Sequence, residues 1–114
     1  MRVESVRPNA SVVILAGELE LSTIPSVERR LFDQLRKHPG VVVDLTRLSF
    51  IDSSGIGLLI RAFRATDDGR SLHTVIAHGS QVERVFRLVG IDRSLPVFFE
   101  RDKALAALDG RGVS

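Results

Sequence analysis

The chain has 114 residues, 16 basic against 14 acidic, with a formal net charge of +2 and no cysteine. That length encloses one core without staples, and the missing thiols exclude disulfide frameworks, thiol catalysis and Cys-based zinc sites, in keeping with a reducing compartment. Lys occurs only at positions 37 and 103, and the arginines alternate with acids. With no basic run, no Trp or Tyr, and Phe residues spaced as core residues, nucleic acid is not an expected partner. No apolar run approaches the ~20 residues of a membrane span, and Met1 to Pro8 lacks the apolar segment of a signal peptide, so the expectation is a soluble cytoplasmic protein without a membrane segment.

Two extended segments open the chain. Arg2–Val6 and Ser11–Ala16 meet at a turn over Pro8-Asn9, and the run Val12-Val13-Ile14-Leu15 suits a strand covered on both faces. Ser22 or Thr23 then caps a helix with Pro25 in its first turn and Val27, Leu31 and Leu35 on one face, and Pro39-Gly40 ends it. Val41–Leu45, apolar and β-branched, reads as a central strand.

A second helix starts near Asp52 with Ile56, Leu59, Ile60 and Phe63 inward, and Asp67-Asp68-Gly69 stops it. Leu72–Ala77 is the next strand, left through His78-Gly79, after which Ser80 caps a third helix whose inner face is Val82, Val85, Phe86 and Val89. Gly90 before Ile91 is a left-handed helix stop. Leu95–Phe99 is a last extended segment whose Pro96 suits an edge, and Arg101 or Asp102 to Leu108 forms a terminal helix with Ala104, Leu105 and Leu108 inward, leaving Gly110 to Ser114 as a frayed tail. Strands alternating with helices after an initial hairpin define an α/β layer with a mostly parallel sheet, one domain over residues 1–110 with a tail over 111–114.

The chemistry concentrates in Leu48 to Ile60, where two hydroxyls stand beside a carboxylate as a buried strand gives way to a helix. Unpaired N–H groups and the positive end of the helix dipole make such a turn a place for a phosphoryl group. Asp and Ser are also ordinary cap residues, so the turn can serve structure alone. His38, His73 and His78 lack ligand spacing and read as surface or loop residues, which leaves no metal site. There is no Gly-x-Ser-x-Gly elbow, no dinucleotide fingerprint and no Gly-Lys-Ser/Thr phosphate loop. No catalytic residue, no cofactor and no enzymatic activity is expected, and the chain reads as a kinase substrate rather than a kinase.

Three other groups carry two readings each. Asp44 either positions the Asp52 turn or, as a strand-end carboxylate, accepts a nearby loop N–H. Gly55 and Gly57 either admit a partner's backbone or relieve crowding between helix and sheet. Arg61 and Arg64 either meet an acidic partner or are merely solvated.

The segment with Asp52-Ser53-Ser54-Gly55 resembles the signature of the STAS family of anti-sigma-factor antagonists, in which the serine directly after the aspartate is the acceptor of a kinase. Ala16 to Thr23 resembles the family's Gly-Glu-Leu-Asp segment, with Glu20 where the family usually has Asp, while Val41 to Leu45 resembles its central strand and Arg84 to Ile91 its third helix. The resemblance implies a small mixed sheet with helices packed largely on one side. It also implies a phosphorylation site at Ser53, with Ser54 as second choice, and a partner surface of Asp52, Ser53, Ser54, Gly55, Ile56, Glu20, Ser22 and Thr23. The implied partners are an anti-sigma factor that is also a serine kinase of the histidine-kinase-like ATPase type, which holds the ATP and Mg²⁺, and a phosphatase that resets the switch. A non-switching STAS subunit of a stressosome-like or lipid-transport assembly is the alternative.

Overall fold

The structure, a computed structural model, describes residues 1–66 and 71–110. Strand β1 (Arg2–Arg7) turns into β2 (Ala10–Leu19), which lies antiparallel to it with Val3 opposite Val13. Each later strand is parallel to its neighbour: β3 (Gly40–Ile51) on β2, β4 (Ser71–Val75) on β3 and β5 (Val97–Phe98) on β4, in the sheet order β1-β2-β3-β4-β5. The helices are α1 (Ile24–Lys37), α2 (Ser53–Arg64), α3 (Gln81–Val89) and α4 (Arg101–Gly110), with a single 3-10 turn at Ile91–Arg93.

Side chains alternate across the sheet, so one apolar run along β2 supplies two cores. Val13 and Leu15 join Val41 and Val43 of β3 under Leu31 and Leu35 of α1, Leu58 and Leu59 of α2, and Val82 and Phe86 of α3. Val12, Ile14 and Val42 point the other way and meet Ala104, Leu105 and Leu108 of α4. The sheet is thus mostly parallel, as the alternation of strands and helices predicts, and mixed with helices largely on one side, as the family resemblance implies. Gly90 closes α3 with φ of 70° and Ile91 is buried behind it, the left-handed stop that a residue without Cβ adopts most cheaply.

Several local expectations are corrected. Strand β3 runs well past Leu45, and β4 begins at Ser71 and ends at Val75 rather than Ala77. Ile24 joins Leu31 and Leu35 as a buried residue of α1 while Val27 is half-buried, and Ile60 and Phe63 of α2 lie only at the core's margin. Thr23 precedes α1, but its hydroxyl turns back into the preceding loop, accepting the Glu20 N–H at 3.0 Å, and caps nothing in the helix. Val89 is 56% exposed, because Val82 and Phe86, one turn apart, already fill the space beneath α3. Phe50 and Phe99 are exposed rather than core residues. The stop at Asp67-Asp68-Gly69 and the tail over 111–114 lie outside the described residues; α2 itself ends at Arg64.

His73 is buried, not on the surface. It follows Leu72 along β4 and alternation carries it to the α4 face, where Nδ1 lies 3.0 Å from the carbonyl oxygen of Ala104 and the ring tilts against Phe98.

Asp44 is the other buried polar group that organises this face. Between Ile14 and Ala16 of β2, strand β3 advances from Asp44 to Arg47, so one extra residue bulges out. Asp44 holds the bulge by accepting the Thr46 N–H at 2.9 Å and the Thr46 hydroxyl at 2.7 Å. Its other oxygen takes Arg101 of α4 at 2.8 and 3.2 Å, and Arg101 extends to Glu4 of β1 at 3.2 Å. The carboxylate therefore accepts an N–H from the bulge of its own strand rather than from a loop, and ties β1, β3 and α4 together. It does not touch the Asp52 turn.

Burial by itself raises the Asp44 carboxyl, but the Thr46 hydrogen bonds and the Arg101 guanidinium outweigh it and hold the group below its ordinary value. A lowered carboxyl contributes stability that is complete above the unfolded value and disappears as pH falls through the folded one. Arg101→Gln should therefore cost about 2 kcal/mol in urea unfolding at neutral pH, less than for a fully buried pair because Arg101 is partly exposed. The difference from the parent protein should hold down to about pH 5 and shrink below it.

Candidate functional site

Strands β2 and β3 continue past the last β3–β4 pair, Asp44 with Val75, as a two-stranded arm ending at Leu19 and Ile51. Both end residues are buried, and the Asp52 N–H donates to the Leu19 carbonyl at 3.3 Å. On the side that β4 has left, Gln81 at the start of α3 stands in for a strand. Its amide nitrogen donates to the Ile51 carbonyl and its amide oxygen accepts the Ile51 N–H, both at 2.9 Å. A primary amide presents the same donor and acceptor as a peptide group, so the arm's last residue is clamped as if by one more strand pair.

The next residue opens α2. Asp52 has extended backbone and its Oδ1 accepts the Gly55 N–H at 3.1 Å, which satisfies one of the unpaired first-turn donors. Gly55 is buried at a close approach: a Cβ there would lie 2.6 Å from Cγ1 of Ile51 and 2.9 Å from the Leu19 carbonyl oxygen. Of the two readings of this glycine, the crowding of helix against sheet is the one the geometry displays. Gly57 is different, since a Cβ there would meet only the end of the Arg61 side chain at 3.4 Å.

Ser53 is exposed at the first position of α2, Ser54 is half-buried and Ile56 is buried. Among the described residues neither serine hydroxyl has a hydrogen-bond partner.

The loop from β2 to α1 stands beside this turn because it leaves from Leu19, the residue that receives the Asp52 N–H. Within it the Ser22 hydroxyl donates to the Glu20 carboxylate, and Thr23 donates to the Glu18 and Glu20 carbonyls at 3.0 Å. The longer Glu20 side chain thus folds back on its own loop. The structure therefore brings the two predicted segments together, with Asp52, Ser53, Ser54, Glu20, Ser22 and Thr23 at least partly accessible and Gly55 and Ile56 beneath them.

Three features here escape a reading of the sequence. Gln81 looks like any first-turn residue, and no local pattern announces its partner. Leu21, 72% exposed in the loop, and Phe50, 39% exposed on β3, flank the site as apolar side chains. A leucine without periodic partners between Glu20 and Ser22 was the available signal for the first. Arg61 is exposed but not merely solvated, since it pairs with Glu28 of α1 at 2.9 Å and joins two helices. Among the described residues no group of His, Cys, Asp and Glu could hold a metal ion, and no helix is long and apolar enough to cross a membrane.

A parallel-dominated sheet with an initial antiparallel strand, three helices on one face and a capped serine turn at the end of an extended strand pair defines the architecture. The chain belongs to the STAS domain family, whose description covers residues 3–104. It is 29% identical over 102 residues to the anti-sigma-F factor antagonist RsfB of Mycobacterium tuberculosis, a match spanning 88% of this chain and 82% of that one. Among solved structures it resembles an anti-sigma factor antagonist from Mycobacterium paratuberculosis, with a TM-score of 0.86 and 26% identity over 95% of this chain and 92% of the other. It shares the fold of SpoIIAA, an anti-sigma factor antagonist solved unphosphorylated at a TM-score of 0.75, 23% identity and 96% coverage of both chains. Bacillus SpoIIAA in its phosphorylated form aligns at 0.66 and 23% identity over 94% of this chain and 97% of that one.

The two glycines should separate cleanly on substitution. Gly55→Ala forces Cβ into the Leu19 carbonyl and should destabilise the fold by about 1–3 kcal/mol, whereas Gly57→Ala should be neutral or stabilising by up to about 1 kcal/mol, both read by chemical unfolding. Gln81→Leu should leave the Ile51 amide without its partner, so that its hydrogen exchange accelerates by NMR more than that of amides in the middle of β3.

Proposed function

We propose that this chain is an anti-sigma-factor antagonist acting in the cytoplasm, which binds an anti-sigma factor through the Asp52 turn and the Glu20–Thr23 loop and is switched off by phosphorylation of Ser53. The observation that carries the reading is the division of labour in Asp52-Ser53-Ser54-Gly55. Asp52 and Gly55 are used by the fold, as cap and as close contact, whereas the Ser53 hydroxyl is exposed and unpartnered. A purely structural cap has no use for it. The relatives that bear the name anti-sigma factor antagonist support the same assignment.

In this reading the partner is itself a serine kinase of the histidine-kinase-like ATPase type. It transfers the γ-phosphoryl group of its bound ATP to Ser53 Oγ: the bond from phosphorus to the bridging oxygen breaks, ADP leaves, and the hydroxyl proton passes to a base of the kinase. The product carries ~1.5–2 negative charges at pH 7 on the first residue of α2. The helix N-terminus partly neutralises them, so the modified protein stays folded, while the adjacent Asp52 carboxylate adds to the field that a docked partner must meet. Loss of ~3 kcal/mol of binding changes affinity more than a hundredfold, which is sufficient for a switch. A separate phosphatase hydrolyses the ester and restores the hydroxyl. The chain supplies the acceptor, its cap and its docking surface, and no catalysis of its own.

Phosphopeptide mapping from the native host tests the acceptor directly, since trypsin releases Leu48 to Arg61 with both serines on one peptide. Phosphate is expected on Ser53. In binding measurements with the cognate anti-sigma factor, Ser53→Ala should bind as the unmodified protein does and Ser53→Asp should bind at least about tenfold more weakly. Equal binding by the two variants, or a peptide that stays unmodified across growth phases and stresses, would instead favour the non-switching STAS subunit.

A further inference from the structure

β1 is the terminal strand of the sheet, and among the described residues nothing pairs with its outer edge. Such an edge offers a row of unpaired backbone donors and acceptors to an added strand. Beside it, on the α1 face, a cleft of about 560 Å³ is lined by Val3 of β1 and by Arg29, Arg30, Asp33, Gln34 and Arg36 of α1. The one acid in the cleft is engaged, since Asp33 pairs with Arg36 at 3.4 Å and with Lys37 at 2.9 Å. Arg30 already reaches a backbone carbonyl at this edge, that of Met1 at 3.3 Å, and Arg29 has no ion-pair partner among the described residues. The groove beside the free edge is therefore positively charged.

We infer that the outer edge of β1 receives an extended, acidic segment of a protein partner as a sixth strand, with alternate carboxylates of that segment facing Arg29 and Arg30. Strand periodicity supplies the register. Every second side chain of an added strand points to the α1 face, where the arginines are, and the others point to the face where Arg2 and Glu4 already neutralise each other at 2.9 Å. Charge also decides against a second copy of this chain as the occupant. Two β1 edges paired about a two-fold axis normal to the sheet put both α1 helices on one face and bring two sets of the same arginines together, which is repulsive. The surface does not involve Ser53, and the inference stands or falls apart from the switch.

A fluorescently labelled peptide of five Glu-Thr repeats, blocked at both ends, is the probe, with binding followed by anisotropy and the site by amide exchange in NMR. Binding that weakens with salt, protects amides of Arg2–Arg7 and is reduced at least about tenfold in Arg29→Glu/Arg30→Glu is the expected result, and Ser53→Asp should bind the peptide as the parent does. A matched peptide N-methylated at every residue carries the same charges but no backbone N–H donor, and should bind far more weakly. No binding at millimolar peptide, undiminished binding to the charge-reversed variant, or equal binding of the N-methylated peptide would each overturn the inference, the last by reducing the edge to a general polyanion site. Should circular dichroism show the charge-reversed variant unfolded, Arg29→Gln/Arg30→Gln replaces it with the same required direction of effect.

Discussion

The carbonyl of Leu19 stands between two parts of the next layer: it accepts the N–H of Asp52, and it lies where any side chain on Gly55 would have to go. The strand end and the helix start can share that space only if the helix brings a bare Cα to it. The remainder of the site follows from this contact. The helix axis is set by it, Asp52 is left in extended backbone with its carboxylate turned onto the first-turn amides, and the residue after Asp52 is pushed outward with nothing to bind. A small residue deep in a packing contact thus decides the exposure of the hydroxyl two positions earlier.

The arm that carries this contact exists because β4 is short. β3 outruns it by the whole segment after Asp44, and an unpaired strand flank buried among helices would leave backbone groups without partners. The fold answers at one end with the Gln81 amide and at the other with the Asp44 bulge, where the carboxylate takes the Thr46 N–H and anchors α4 through Arg101. At these places side chains finish what the sheet leaves undone. They also separate two regions of the molecule: α4, His73 and Asp44 lie together on one face of the sheet, while the loops at the Leu19 and Ile51 ends carry the exposed Ser53.

Under the proposed function, the recognition surface has to be preorganised and the regulated group free. Hydrogen bonds to backbone and one steric contact hold the turn in place, and none of them involves the Ser53 hydroxyl. An added phosphoryl group would alter the surface without asking the core to move. In the proposed switch the energetic effect of that group falls on the complex rather than on the fold.

Period and punctuation made much of this legible from the residues alone. The run Val12–Leu15 announced a strand covered on both faces, Ser80 and Gly90 bracketed α3, and the Asp52 turn stood out because a carboxylate and two hydroxyls met a change from strand to helix. Those are local signals, set by backbone dihedral preference and side-chain alternation within a few residues. What lay beyond them needed contacts between distant segments. The length of β3 depended on pairing with β2, the burial of His73 on where α4 packs, the exposure of Val89 on the space already filled by Val82 and Phe86, and the partner of Arg61 on the placement of α1. The sequence by itself determined that Asp52 would cap and that a serine would follow it. Only the tertiary structure decided that Gly55 would be pinned against Leu19 and Gln81 clamped to Ile51, because those contacts join residues 36 and 30 positions apart, and no local periodicity encodes a distance closed by folding.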